Sequence, residues 1–273
     1  CSLKMAKSLK TSLSRKSTNI IKQSNNGIVN IIVRSFLMSI IAIQLKQVLR
    51  NRRFFLFTIL LPGIWYVFMI QVASTSLPAT GNFQLALLLL ALLMGILGNS
   101  IVTFSKRICS NKDFYILQSH ISHYSLWNYL FSQLITQVII NLFITLVIMI
   151  LAIFLHTIEF NFITITSILL TNIIGIYLSV IGFAIGLCFD APTVDAAGTP
   201  ILFIIATFIT PWKHLLPANS FIDFFTNVQK LFPTYYLYAD LDHLSVSHLG
   251  LLFVTAIITL LPWLGFIYRK LID

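Results

Sequence analysis

Acidic residues are scarce in this sequence: Glu159 is the only glutamate, and all the aspartates and glutamates together number 8 against 18 lysines and arginines. Charged residues make up 10% of the 273, where a soluble globular domain carries about 25%. That excludes an ordinary water-soluble protein. A single glutamate leaves no paired-glutamate chemistry, and there is no His-Glu-x-x-His, no Gly-x-Ser-x-Gly and no cysteine pair at metal-binding spacing. The chain does not read as an enzyme. None of its 11 glycines opens a Gly-x-x-x-x-Gly-Lys-Ser/Thr loop, so it has no phosphate cradle and is not its own ATPase.

What is present is apolar surface, 58% of the residues, with 23 phenylalanines. The few charges are spaced so that long tracts carry none: Arg53 to Lys106, Asp113 to Glu159, Glu159 to Asp190, Asp195 to Lys213, and Asp242 to Arg269. A helix needs about 20 apolar residues to cross the hydrocarbon of a bilayer. The first tract is long enough for two crossings and is broken by the polar stretch Ser74, Thr75, Ser76, Pro78, Gly81 and Asn82, which predicts a helical hairpin. With one crossing in each later tract, six are expected, over roughly 54–77, 82–104, 127–156, 162–189, 196–216 and 248–268. The fifth is interrupted by Pro200 and Pro211.

Lysine and arginine are retained on the cytoplasmic side of a membrane. Eleven of them precede the first crossing, Lys106, Arg107 and Lys112 fall in the expected 105–126 loop, and Arg269 and Lys270 close the chain. Sixteen of the 18 lie on one side if both termini are cytoplasmic, as six crossings require. Cys1, Cys109 and Cys188 then all fall on or near that side, with no external pair to form a disulfide. The expected architecture is an all-α polytopic membrane protein of the cell (cytoplasmic) membrane. Residues 1–34 form a basic cytoplasmic tail, 35–53 an amphipathic interfacial helix, and 54–273 a six-helix transmembrane domain. A seventh span over 28–45 would bury Arg34 at roughly 2.5–3.5 kcal/mol, whereas Phe36, Leu37, Ile40, Ile41, Leu45, Val48 and Leu49 recur at helical spacing apart from Lys46, Gln47 and Arg50, as in a helix lying on the membrane surface. The tail lacks interleaved aromatics, so it reads as a lipid-facing topology signal and not as a nucleic-acid site. It is too long, and lacks the short apolar run and cleavage site, for a cleavable signal peptide.

Within the third crossing Tyr129, Gln133, Gln137, Asn141 and Thr145 recur every four residues and form one polar stripe. Such a stripe either hydrogen-bonds neighbouring helices together or faces a substrate. Gly95 with Gly98, and Gly182 with Gly186, read as helix-packing sites. His120 and His123, and the set Asp240, Asp242, His243 and His248, match no established ligand pattern and read as solvated loop residues, with no metal expected. A proton- or sodium-driven carrier needs titrating or coordinating groups at the midplane, and the crossings supply almost none. A separate motor is the inference.

The run QLKQVLRNRRFFLFTILLPGIWYVFMIQ, an amphipathic helix ending in basic residues and leading into a crossing that carries Pro62, resembles the start of the type 2 export permeases of ABC transporters. The long segment between the fifth and sixth crossings, with Pro217 followed by FIDFFTNVQKLFPTYYLY, resembles that family's pair of short re-entrant helices. Gln44, where the family often has an acid, and Ile209 to Trp212, where it often has a glycine, depart from it. The resemblance implies a permease subunit that pairs with a second copy or a related permease and docks two cytoplasmic ABC ATPase subunits, which bind ATP and Mg while this chain binds no cofactor. It implies docking through Gln44, Lys46, Arg50, Lys106, Arg107, Lys112, Asp113 and Phe114. Phe57, Trp65, Phe68, Gln133, Gln137 and Asn141 stand as pathway or helix-packing residues. The uncharged, phenylalanine-rich interior suits a hydrophobic or amphipathic cargo, such as a drug, an antimicrobial peptide or a lipid-linked molecule. The alternatives are a secondary carrier or channel, and a membrane immunity or scaffold protein that binds a peptide without moving it.

Overall fold

The computed structural model describes residues 38–76, 81–112, 126–215, 219–241 and 245–272. The chain divides into two units, Cys1–Lys46 and Gln47–Asp273. The described part of the first is helical and begins α1, Met38–Leu49. Along α1 the buried positions Ile41, Gln44 and Val48 follow at helical spacing, and Lys46, Gln47 and Arg50 are exposed. The face differs from the expected one in two residues: Leu49 is exposed, and Gln44 is buried among the apolar positions. Phe36 and Leu37 lie outside the described residues. The helix stops short of the expected 53, because Asn51 closes a turn back to the Val48 carbonyl and its own carbonyl then accepts from the Phe54 amide.

The second unit holds six helices long and apolar enough to cross a membrane. Helix α2 is built from Arg52–Phe54, a π-helical turn Phe55–Leu60 and Leu61–Ser76. Helix α3 runs Gly81–Gly98, widens into a π-helical turn at Asn99–Phe104 and continues to Lys112. Then come α4 (Leu126–Phe154), α5 (Phe162–Cys188) and α6 (Ala191–Ile209), the short helices α7 (Trp212–Leu215), α8 (Ser220–Gln229) and α9 (Pro233–Ala239), and α10 (Val246–Ile272). No strand occurs among the described residues.

The spans stand close to their expected positions, with two corrections. Residues 105–112, expected in a loop, continue α3, because charged residues end an apolar run without ending a helix. The fifth span begins at Ala191, five residues before the expected 196, and stops at Ile209. It tolerates Pro200 on an exposed face, whereas Pro211 forces Thr210 out of helical geometry, to ψ 127°.

Helix α3 is the hub. The run Leu85–Leu93 is buried throughout, and 89% of its span is covered by α2, α4, α5 and α6, against 11% for α10. On α10 Val254, Ile257, Ile258 and Leu261 point outward, which suits lipid as solvent. Pro62 explains the π turn of α2. It has no N–H for the Thr58 carbonyl and its ring crowds that carbonyl, so the helix widens and the Leu61 amide reaches back to Leu56. The carbonyls of this turn face α3, where Gly95 and Gly98 make room: a Cβ on Gly95 would lie 2.7 Å from the Thr58 oxygen, and one on Gly98 2.9 Å from the Phe57 oxygen. Helices α3 and α5 meet in the same way, Gly182 against the Ser100 carbonyl and Gly186 against that of Ser105. Both glycine pairs are packing sites, as the sequence suggests.

The connections fall at two ends. At one, the Tyr66 hydroxyl and Thr157 pair at 2.7 Å, and Asn161 caps α5 by accepting from the Thr164 amide at 2.8 Å. At the other, Phe104 and Ile108 of α3 cluster with Phe183 and Leu187 of α5 and Ile267 of α10. The C-terminal ends of α3, α5 and α10 therefore lie together, the alternation that an up-and-down bundle of six spans requires.

Candidate functional site

Two arrangements bring expected site residues together. The first is inside the bundle, where α3, α4 and α5 meet. Gln133, Gln137 and Asn141 recur one turn apart on α4, and all three point inward, at most 2% exposed. The Asn99 amide donates to Gln137 Oε1 at 3.3 Å, and Gln137 Nε2 donates to Ser179 Oγ at 3.4 Å. Ser179 spends its one proton on the Gly175 carbonyl at 2.7 Å, so Ser100, 3.2 Å away, is the donor of their hydroxyl pair. Further along, Thr145 contacts the Asn141 carbonyl and Asn172 Oδ1.

The seam is only partly satisfied. Both polar atoms of the Gln133 and Asn141 amides, with Asn99 Oδ1, Thr58 Oγ1 and Thr103 Oγ1, are buried without a hydrogen-bond partner. Each such group costs about 1–3 kcal/mol in a protein interior. Asn141 is accommodated because residue 175 is glycine: a Cβ there would lie 2.8 Å from Asn141 Nδ2. The polar groups are amides and hydroxyls. Among the described residues the one fully buried carboxylate, Asp240, lies outside the six spans.

The expected aromatic positions are spread along α2. Phe57 approaches the seam through its carbonyl at Gly98, Trp65 is half-buried, and Phe68 is exposed in an apolar groove between α2 and α4 that also holds Ile64, Leu151 and Phe154. The amide side of the seam, on α4, was legible in the four-residue spacing. Asn99, Ser100 and Ser179, which complete it, were not singled out, although Asn99 and Ser100 are a polar pair in an otherwise apolar tract.

The second arrangement is the basic end of α3. Lys106 forms an ion pair with Asp195 in the first turns of α6, both about one-third exposed. Cys109 Sγ and Lys112 Nζ both reach the Phe189 carbonyl, at 3.0 and 3.4 Å, and the Arg107 guanidinium lies 5.1 Å from the Phe104 ring centre. A hydrogen bond from Thr193, helped by its own backbone amide and by Lys112, holds the Asp190 carboxyl below the usual aspartate range. The expected docking residues thus divide: Lys106 engages α6, Lys112 the α5–α6 connection and Arg107 its own helix, Gln44 is buried on α1, and Lys46 and Arg50 are exposed. Asp113 and Phe114 lie outside the described residues, as do Tyr129 as a side chain, His120, His123, Asp242 and His243. Asp240 and His248 do come together, at 3.0 Å, and no group of three potential metal ligands occurs among the described residues.

Comparison with protein-family models, with curated proteins and with solved structures yields no match.

Proposed function

We propose that this chain is the transmembrane permease subunit of an ATP-driven exporter of the ABC type 2 class, moving a hydrophobic or amphipathic substrate outward across the cell membrane. The observation that carries the reading is a six-span bundle whose internal polar seam is made of amides and hydroxyls, while Lys106, Arg107 and Lys112 stand together at one end of α3. A seam of this kind suits a passage that an external motor swings, since a gradient-driven carrier works through titrating or ion-coordinating groups at the midplane. Separate cytoplasmic ATPase subunits, binding ATP and Mg, supply the energy, and α1 and the basic end of α3 each offer them a surface. A second permease, identical or related, completes the pathway. Cargo moves because its affinity differs between inward- and outward-facing states.

The test is reconstitution of the full chain with ATPases encoded near it. Stable co-purification and an ATPase rate that changes on assembly are the expected results. Flux through the chain alone, driven by an ion gradient without nucleotide, sinks the proposal in favour of a carrier or channel, and saturable peptide binding with no flux under any condition sinks it in favour of an immunity or scaffold protein.

A further inference from the structure

Where Pro211 ends α6, the chain folds into α7, α8 and α9, and these with the end of α6 line a partly open cavity of about 290 Å³. Its lining includes Phe208, Lys213, Thr226, Gln229, Thr234 and Tyr235. The broken end of α6 would ordinarily present bare carbonyls, but Gln229 Nε2 donates to those of Phe208 and Thr210, at 3.0 and 2.6 Å. Those two carbonyls are therefore occupied. Thr226 spends its proton on the Ile222 carbonyl at 2.8 Å. The donors left for an occupant are the ammonium of Lys213, the hydroxyl of Tyr235, and the hydroxyl of Thr234, which is 2% exposed and has no partner. No carboxylate is among the lining residues. Burial pushes the Tyr238 hydroxyl above the usual tyrosine range, so this wall gains no negative charge at neutral pH.

The surroundings are apolar. Phe208 packs against Phe225 and Phe232 at 6.1 and 5.8 Å, while Phe221 and Phe224 on α8 are about two-thirds exposed. An amphipathic helix with outward phenylalanines beside the end of a span marks the boundary between lipid and water. The volume, at the lower end of the roughly 300–1,000 Å³ of ligand sites, suits a headgroup and not a whole amphiphile.

We propose that this cavity binds the phosphate of an anionic amphiphile, held by Lys213 and Thr234, with the acyl chains outside along the phenylalanine face. The site is independent of the export reading, because it requires only that the span end at a lipid surface.

The full chain in neutral maltoside detergent is titrated with dioctanoyl phosphatidylglycerol, followed by tryptophan fluorescence, with dioctanoyl phosphatidylcholine as the zwitterionic comparison. Saturable binding of the anionic lipid alone is expected. Lys213→Gln weakens it about tenfold, the loss of one hydrogen bond to a charged group, and Thr234→Val about fivefold, while Lys213→Arg keeps it within about twofold. Displacement by millimolar inorganic phosphate assigns the site to the phosphate alone, and resistance to displacement assigns it to the lipid-borne group. Equal affinity for both lipids, or unchanged affinity in both Lys213→Gln and Thr234→Val, overturns the proposal.

Discussion

Gly182 and Gly250 show how differently one residue type can be used. A Cβ at Gly182 would collide with the Ser100 carbonyl, whereas at Gly250 it meets open space. Gly182→Ala is expected to cost about 1–3 kcal/mol through overpacking, while Gly250→Ala gains about 0.5–1 kcal/mol in helix propensity. Thermal unfolding of the purified chain in detergent separates the two; a Gly182→Ala protein as stable as its parent would contradict the close approach. The α4 amides offer a second contrast. Gln137→Leu strands the Asn99 donor, leaves Ser179 accepting from Ser100 alone, and should destabilise by about 1–2 kcal/mol. Gln133→Leu removes an amide with no partner and should be neutral or stabilising. If Gln133→Leu proves the more harmful of the two in the same melts, the seam is wired differently. The four-residue spacing made the inward face readable from sequence. Which residues it meets was not readable, because Ser100 and Ser179 come from segments far away along the chain.

Among elements, the ion pair joining the end of α3 to the start of α6 decides what the basic cluster does. Charge spacing alone located Lys106 but could not name Asp195, since a pair 89 positions apart leaves no local trace. Part-exposed pairs of this kind contribute up to about 1 kcal/mol. Lys106→Glu should therefore destabilise modestly, and the exchange Lys106→Glu with Asp195→Lys should restore stability. In a reconstituted exporter the same exchange should also restore ATPase coupling if Lys106 acts through α6. Restored stability with coupling still lost would instead place Lys106 in direct contact with the motor. The span limits follow similar logic. Uncharged tracts predicted the apolar cores of the helices, but the ends depend on backbone chemistry: α3 runs on through its lysines, and α6 halts at a proline.

For the whole molecule, the alternation of ends is the property most open to direct measurement. Ser110 near the end of α3 and Phe160 between α4 and α5 are both exposed. In a background with the native cysteines replaced, Ser110→Cys and Phe160→Cys should react with a membrane-impermeant maleimide from opposite faces of the bilayer. Labelling of both from one face would dismantle the six-span order. That order was legible because hydrocarbon thickness sets a length that sequence must meet. Helices α8 and α9 fall in the segment expected, by resemblance, to hold a pair of short re-entrant helices; the cavity was not legible, since it depends on which carbonyls Gln229 reaches.

The glycine contacts of α3 and α5 have a mechanical corollary. Where backbone rests on backbone, there is no side chain between the two rods to change rotamer and let one slip past the other. Helices α2, α3 and α5 then travel as a single plank, and any rocking of this chain falls to the loosely covered α6 and α10 swinging about it.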